Sequence, residues 1–448
     1  MLTVLISWLR IREVRAKLLL TLVLLAVYRL GFSIVLAVVD QESLADSLRH
    51  KEGDGGIGGA VALLSMLSAS NVGMMTIFGL GIMPYISASI IFQLLGTVYP
   101  PIESLQKEGD VGRRKINEYT RYSTVIICFV QSVAWLSVSM GAADGGLVLP
   151  GFGGIYLRCV CAVTMTAGSI LLMWIGEQID EFGLGNGISL LIMAGILGRV
   201  PEVIISIVRP AIDQGVMVGS QVGVDRLVVL LLLFVAVVAG VVWVTQAQRR
   251  IQLYSARHAR SSSNSSQRQF LPLKVNQSGV MPVIFASSLM VFPLLLLKQC
   301  VAVTSGVPAV QAFFLVVDGA LSDSAGFAYN CLFVALVYFF CYFWSAVSFN
   351  PVEVANNLRD HGVFVPGYRP GARTASYLEQ VISRLNFLGA SFLASVAMIP
   401  VFVMNIVGVD YLVASFFGGT SLLICVSVAI DLVQKIEGYA ESSVVRAA

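Results

Sequence analysis

The sequence predicts an all-α membrane protein, and three observations carry that prediction. Apolar residues make up 57% of the 448 and charged residues only 12%, where a soluble protein carries about 25% charged. The apolar residues gather into ten stretches of bilayer length, about 20 residues each. The charges gather between those stretches. A helix that is apolar all round has no reason to be so in water; in lipid it must be, because unpaired backbone groups and charges are costly there. Soluble enzymes are excluded as a class.

The ten candidate spans lie near 18–38, 76–98, 120–141, 154–175, 187–208, 226–246, 279–299, 327–349, 380–402 and 414–434. Arg199 and Pro201 interrupt the fifth, and the seventh contains Pro282 and Pro293. Two further apolar stretches, 60–75 and 307–321, are too short to cross. Lys and Arg set the orientation, since cytoplasmic loops carry their excess. Most of the 29 lie before span one, after spans two, six and eight, and in the C-terminal tail, while 143–153 and 403–413 hold none. Both termini are therefore expected in the cytoplasm. The opening run MLTVLISWLRIREVRAK is amphipathic and basic, without a small-residue cleavage site before Leu18, and reads as a membrane-surface helix rather than a signal peptide. Five spans fall on each side of the polar connection 209–226. Halves of 1–208 and 209–448 would then run in opposite orientation, as an inverted repeat requires.

No catalytic constellation accompanies this frame. The three His (50, 258 and 361) sit in separate loops, with no HExxH run and no Walker A run. Gly53, Gly55 and Gly58 satisfy GxGxxG, but no strand precedes them, so they read as a flexible outer loop. The seven Cys lie in or beside apolar spans without CxxC spacing and read as small core residues, not as a metal or disulfide framework. Neither catalytic residues, nor metal ligands, nor cofactors are expected. Inside the spans charge is sparse; Arg29 lies within span one and Asp431 near the end of span ten, neither with an obvious partner in the sequence. A secondary transporter of inverted-repeat type is the alternative, but it would want ionisable coupling groups at mid-membrane. Their scarcity favours a passive conduit closed by an apolar constriction.

Several motifs are too long and specific to arise from composition. The run GIMPYISASII continues into KEGDVGRRKINEYTRY, and GNGISLLI, GVMPVIFASS, FGGTSLLI and FVPGYRPG follow later. From about Arg15 to Lys435 the chain resembles the SecY family, the central channel subunits of the bacterial protein translocase. The resemblance implies ten helices in two inverted-repeat halves around an hourglass pore with a plug helix. It implies a channel that conducts unfolded polypeptides across the cytoplasmic (inner) membrane and inserts membrane helices into it, with no hydrolytic activity of its own.

Residue by residue, the resemblance places a closing ring of apolar side chains on Ile82 and Ile86, Ile188 and Ile192, Ile284 and Ile424. Each of the two pairs is spaced i, i+4 and so shares one helix face. Residues 60–75 read equally well by themselves as a re-entrant surface helix; the resemblance makes them the plug, with Leu63, Leu64, Met66 and Leu67 as its apolar body. A lateral gate is implied between spans two and three on one side and seven and eight on the other. Ser87, Gln131, Ser287 and Ser288 are the candidates for polar contact across that seam, where small polar residues also serve plain helix packing. The basic loops 248–276 and 350–377 are implied as docking surfaces, through Arg249, Arg250, Arg257, Lys274, Arg369 and Arg373. The partners implied are a SecA motor ATPase, the ribosome, SecE-like and SecG-like small membrane subunits, preproteins bearing signal peptides, and the lipid bilayer. The Gly-rich run 53–59 and the tract SSSNSS depart from the family pattern.

Overall fold

Long apolar runs satisfy their backbone internally by becoming helices, and helices dominate the structure. The computed structural model describes residues 12–36, 76–140, 154–201, 203–205, 224–255, 269–277, 279–303, 308–322, 326–407 and 411–447. In chain order the helices are α1 Arg12–Gly31, α2 Met83–Val98, α3 Pro100–Lys107, α4 Asp110–Met140, α5 Ile155–Phe182, α6 Gly187–Leu197 and α7 Val224–Gln246. They continue as α8 Met281–Val303, α9 Pro308–Ser322, α10 Phe327–Ser348, α11 Pro351–Asp360, α12 Ala372–Val407, α13 Tyr411–Gly418 and α14 Thr420–Ala447. Each predicted span thus has a helix within it. Four described stretches are long and apolar enough to cross a membrane, Ile155–Phe182, Val228–Gln246, Phe327–Asp360 and Ala372–Met404; the bent pair α2 and α3 makes a fifth if counted as one span.

Local chemistry explains the helix ends. Pro84 occupies the first turn of α2, where its missing N–H costs nothing. At the far end Tyr99 is extended, as the residue before a proline prefers, and α3 leaves α2 at 100°. The interruption expected at Arg199 and Pro201 falls slightly earlier, with α6 ending at Leu197 and Gly198 as its cap. The Asn350 side chain accepts from the Val352 and Glu353 N–H groups at 3.1 and 3.4 Å, and Pro351 opens α11.

The chain is not wholly helical. Residues 248–276, expected as a loop, contain strands β1 Gln248–Ser255 and β2 Gln269–Lys274, and β3 Val363–Phe364 comes from the loop after α11. β1 is central, antiparallel to both, with Arg250 opposite Pro272, Ile251 opposite Leu271, and Tyr254 opposite Phe364. Ile251 and Leu273 pack with Leu378, Val381, Ile382 and Leu385 of α12, so the sheet rides on the beginning of that helix over its own small core.

The main core is central. It draws residues from α1, α2, α5, α6, α7, α8, α10, α12 and α14, and is built largely from Ile, Val, Leu and Phe. The two halves of the sequence meet there: α2 packs on α8, and α6 on α14.

Candidate functional site

Four helices supply the six isoleucines singled out in the sequence. Ile82 caps α2 and Ile86 lies in its first turn; Ile188 and Ile192 belong to α6, Ile284 to α8 and Ile424 to α14. Every one lies within the first two turns of its helix. Ile82, Ile86, Ile192, Ile284 and Ile424 are each no more than 5% exposed and belong to a single buried cluster, against which the partly buried Ile188 packs. Residues 342 positions apart in the chain therefore meet in one apolar body. Between helices in lipid such a meeting point stabilises the arrangement through close packing rather than through removal of area from water, since lipid tails are as apolar as the side chains.

The segment that carries Ile188 and Ile192 is held closely at its start. Gly187 N–H donates to the Asp180 carboxylate at 2.8 Å, and Ser189 N–H donates to the Asn186 side chain at 3.1 Å. A Cβ on Gly187 would fall 2.0 Å from the Gly176 carbonyl oxygen of α5, so only glycine lets the two helices approach this far. A cavity of about 430 Å³ opens beside this end of α6, lined in part by Asn186, Ser189, Asp431 and Lys435. Asp431, without an evident partner in the sequence, thus faces a cavity with a lysine one helical turn away. Arg29 has a partner: its guanidinium donates to the Gly198 carbonyl at 3.1 Å.

Of the gate candidates, Ser87, Ser287 and Ser288 are buried and Gln131 of α4 is partly buried. Ser287 donates to the Ile284 carbonyl of its own helix at 2.9 Å. Ser288 makes the same bond at 2.7 Å and also reaches the Met83 sulfur at 3.8 Å, which marks where α8 touches α2. Stronger ties lie within each side of this seam. Arg121 of α4 pairs with Glu177 of α5 at 2.7 Å, Ser132 donates to the Ala162 carbonyl at 3.3 Å, and the Tyr338 and Ser391 hydroxyls meet at 2.6 Å between α10 and α12. The plug candidates Leu63, Leu64, Met66 and Leu67 lie outside the described residues, as does Arg257.

The remaining basic candidates are all exposed. The register puts Arg249 on the face of β1 that carries Ile251, and Arg250 with Lys274 on the other. Arg369 sits in a turn whose Gly367 and Gly371 have φ of 86° and 103°, a conformation that side chains resist. Stacking of Tyr368 on Tyr377 at 4.2 Å and donation by the Thr374 hydroxyl to the Arg369 carbonyl at 2.9 Å fix the turn to α12. Arg373 follows in the first turn of that helix. The strands were the missed element, although the alternation in QRRIQLYS, with Ile251 and Leu253 between polar neighbours, was there to be read.

Fold and core define the class: a multi-pass helical membrane protein whose helices meet centrally in branched apolar side chains. A family model described as SecY matches residues 76–433, and the chain belongs to the SecY family. The protein translocase subunit SecY of Aquifex aeolicus is 38% identical over 434 residues, covering 96% of this chain and 95% of its own. That of Escherichia coli K12 is 38% identical over 436 residues, covering 96% and 93%. Among solved structures, the fold is similar to one titled the structure of a protein conducting channel, with TM-score 0.61 and 18% identity over 94% of this chain and 91% of that one. It is also similar to Sec61 in the canine ribosome-channel complex from the endoplasmic reticulum, with TM-score 0.57 and 18% identity over the same shares.

Proposed function

We propose that this chain is the conducting subunit of a protein translocase: a channel, not an enzyme, that passes unfolded polypeptides across the bacterial inner membrane and releases apolar helices sideways into lipid. The observation that carries this reading is the isoleucine cluster. Four helices from both halves of the sequence present branched apolar side chains to one another, and membership of a family of translocase subunits supports reading that meeting point as the pore's waist. Branched side chains yield around a moving chain yet offer ions and water no polar foothold.

In this reading ten helices cross the bilayer in two inverted-repeat halves, 1–208 and 209–448, with both termini cytoplasmic. Residues 60–75 plug the outer side of the waist. The contact of Met83 with Ser288 lies on the lateral gate, and the stronger ties on each side let α4 move with α5 and α10 with α12. The sheet and the Arg369 turn face the cytoplasm, where a SecA-type motor ATPase and the ribosome dock by charge; exposed Arg suits RNA phosphate. Small SecE-like and SecG-like subunits complete the channel.

The test is reconstitution. Proteoliposomes holding the chain with its small subunits and the motor should take up a secretory preprotein into a protease-protected state when ATP is added. Failure of that uptake, with proton-coupled flux of a small solute in its place, would replace the channel with a transporter.

A further inference from the structure

The first helix contributes no isoleucine to the waist, yet one short stretch of it touches both segments of the N-terminal half that do. On one side Arg29 donates to the carbonyl of Gly198, the residue that caps α6, six positions after Ile192. The last carbonyls of a helix lack intrahelical donors, and in lipid no water replaces them. A guanidinium there satisfies one and matches the negative end of the helix dipole. On the other side, Tyr28 stacks on Phe78 with ring centroids 6.4 Å apart, and Phe32 meets both rings edge-on at 4.9 and 5.6 Å. Ile77 N–H donates to the Ile34 carbonyl at 3.1 Å, and Val35 bridges Thr76. From Phe78 the chain turns directly into Ile82, the cap of α2. The last turn of α1, with the residues that follow it, therefore sets where α6 ends and where α2 begins. A charged side chain inside an apolar span is costly and calls for a specific partner.

We infer that the outer end of α1 is the frame that registers Ile82 and Ile86 against Ile188 and Ile192, and that Arg29 is a positioning residue for the seal. This rests on the isoleucine cluster being the waist. Through its bond to the Gly198 carbonyl, Arg29 acts by fixing the height of α6.

The experiment measures ion flux through reconstituted channels lacking 60–75, so that the waist alone limits leakage. Ile188→Ala with Ile192→Ala establishes the effect of the waist itself. Arg29→Leu should raise flux severalfold, and Arg29→Lys, which keeps a charged donor, should restore most of the seal. If Arg29→Leu does not accumulate, Arg29→Gln is read in the same way. Combined with the two alanines, the Arg29 change should add little, because both act on one helix. Lys17→Ala serves as the control, since it removes the contact of Lys17 with the Tyr439 ring toward the other end of α1; its effect should be absent or independent. Parental flux in Arg29→Leu or Arg29→Gln, or an effect that multiplies fully with the alanines, overturns the assignment and leaves the waist standing. No leak from the two alanines overturns the waist and the assignment with it.

Discussion

Truncating Ile86 and Ile192 to alanine tests the waist most directly. Each change removes three carbons from a side chain that is 5% or 4% exposed. What is lost is packing contact rather than transfer from water, because lipid tails are as apolar as isoleucine. With the void that remains, each site should lose about 2–5 kcal/mol of stability. Valine at the same positions removes one methyl and should cost about 0.5–1.5 kcal/mol. Sealing is expected to follow the same order, since what excludes water and ions is the packed volume these carbons fill. A drop of only about 1.4 kcal/mol in the barrier to ion passage is a tenfold rise in flux, well within what six missing carbons can supply. Ion flux in liposomes is the assay, with the proposed plug, 60–75, deleted and with melting temperature followed in parallel. The double alanine variant should leak at least about tenfold more than its background, and the double valine variant much less. Folded double alanine channels that leak no more than their background would refute the reasoning.

Three other outcomes are expected. Arg369→Glu should cripple ATP-driven preprotein uptake while leaving the melting temperature unchanged, because the side chain is exposed and its turn is held by neighbours; wild-type uptake would remove the turn from the docking surface. Cysteines at Met83 and Ser288, whose side chains approach to 3.8 Å, should block preprotein uptake when joined by a short thiol crosslinker and release it when the link is cleaved. Uptake through the fully joined form would exclude parting of α2 from α8. Gly187→Ala should lower thermal stability by about 1–3 kcal/mol, the usual cost of overpacking, since the new methyl meets backbone rather than a yielding side chain; a melting curve in detergent checks this.

How far the sequence could be read depended on whether a residue's neighbours are near it in the chain. The helices were legible because a run such as VLLLLFVAVVAGVVWV in α7 is apolar at every position, and length alone then identifies a span. Ile82 and Ile86 were legible as a pair because four residues make one helical face. That they meet Ile284 and Ile424 came only from the family motifs, because nothing local encodes contact between helices so distant in the chain. Arg29 shows the limit plainly: its acceptor is a backbone carbonyl 169 residues away, and a carbonyl has no sequence signature. The sheet was missed for another reason. Its β1 alternation is short, and the third strand has only two residues, below any length at which periodicity can register.

That third strand has a mechanical consequence. Val363 and Phe364 couple the connection after α11 to β1, a strand more than a hundred residues earlier, and β1 continues directly from α7 while its partner β2 leads into α8. Stacking and hydrogen bonding then splice the Arg369 turn to α12. Two surface excursions that would otherwise bend separately are riveted into a single bracket with four helices as its legs. A load applied anywhere on the bracket is divided among α7, α8, α11 and α12 at once, and so arrives inside the bundle as a tilt of several helices rather than the flexing of one loop.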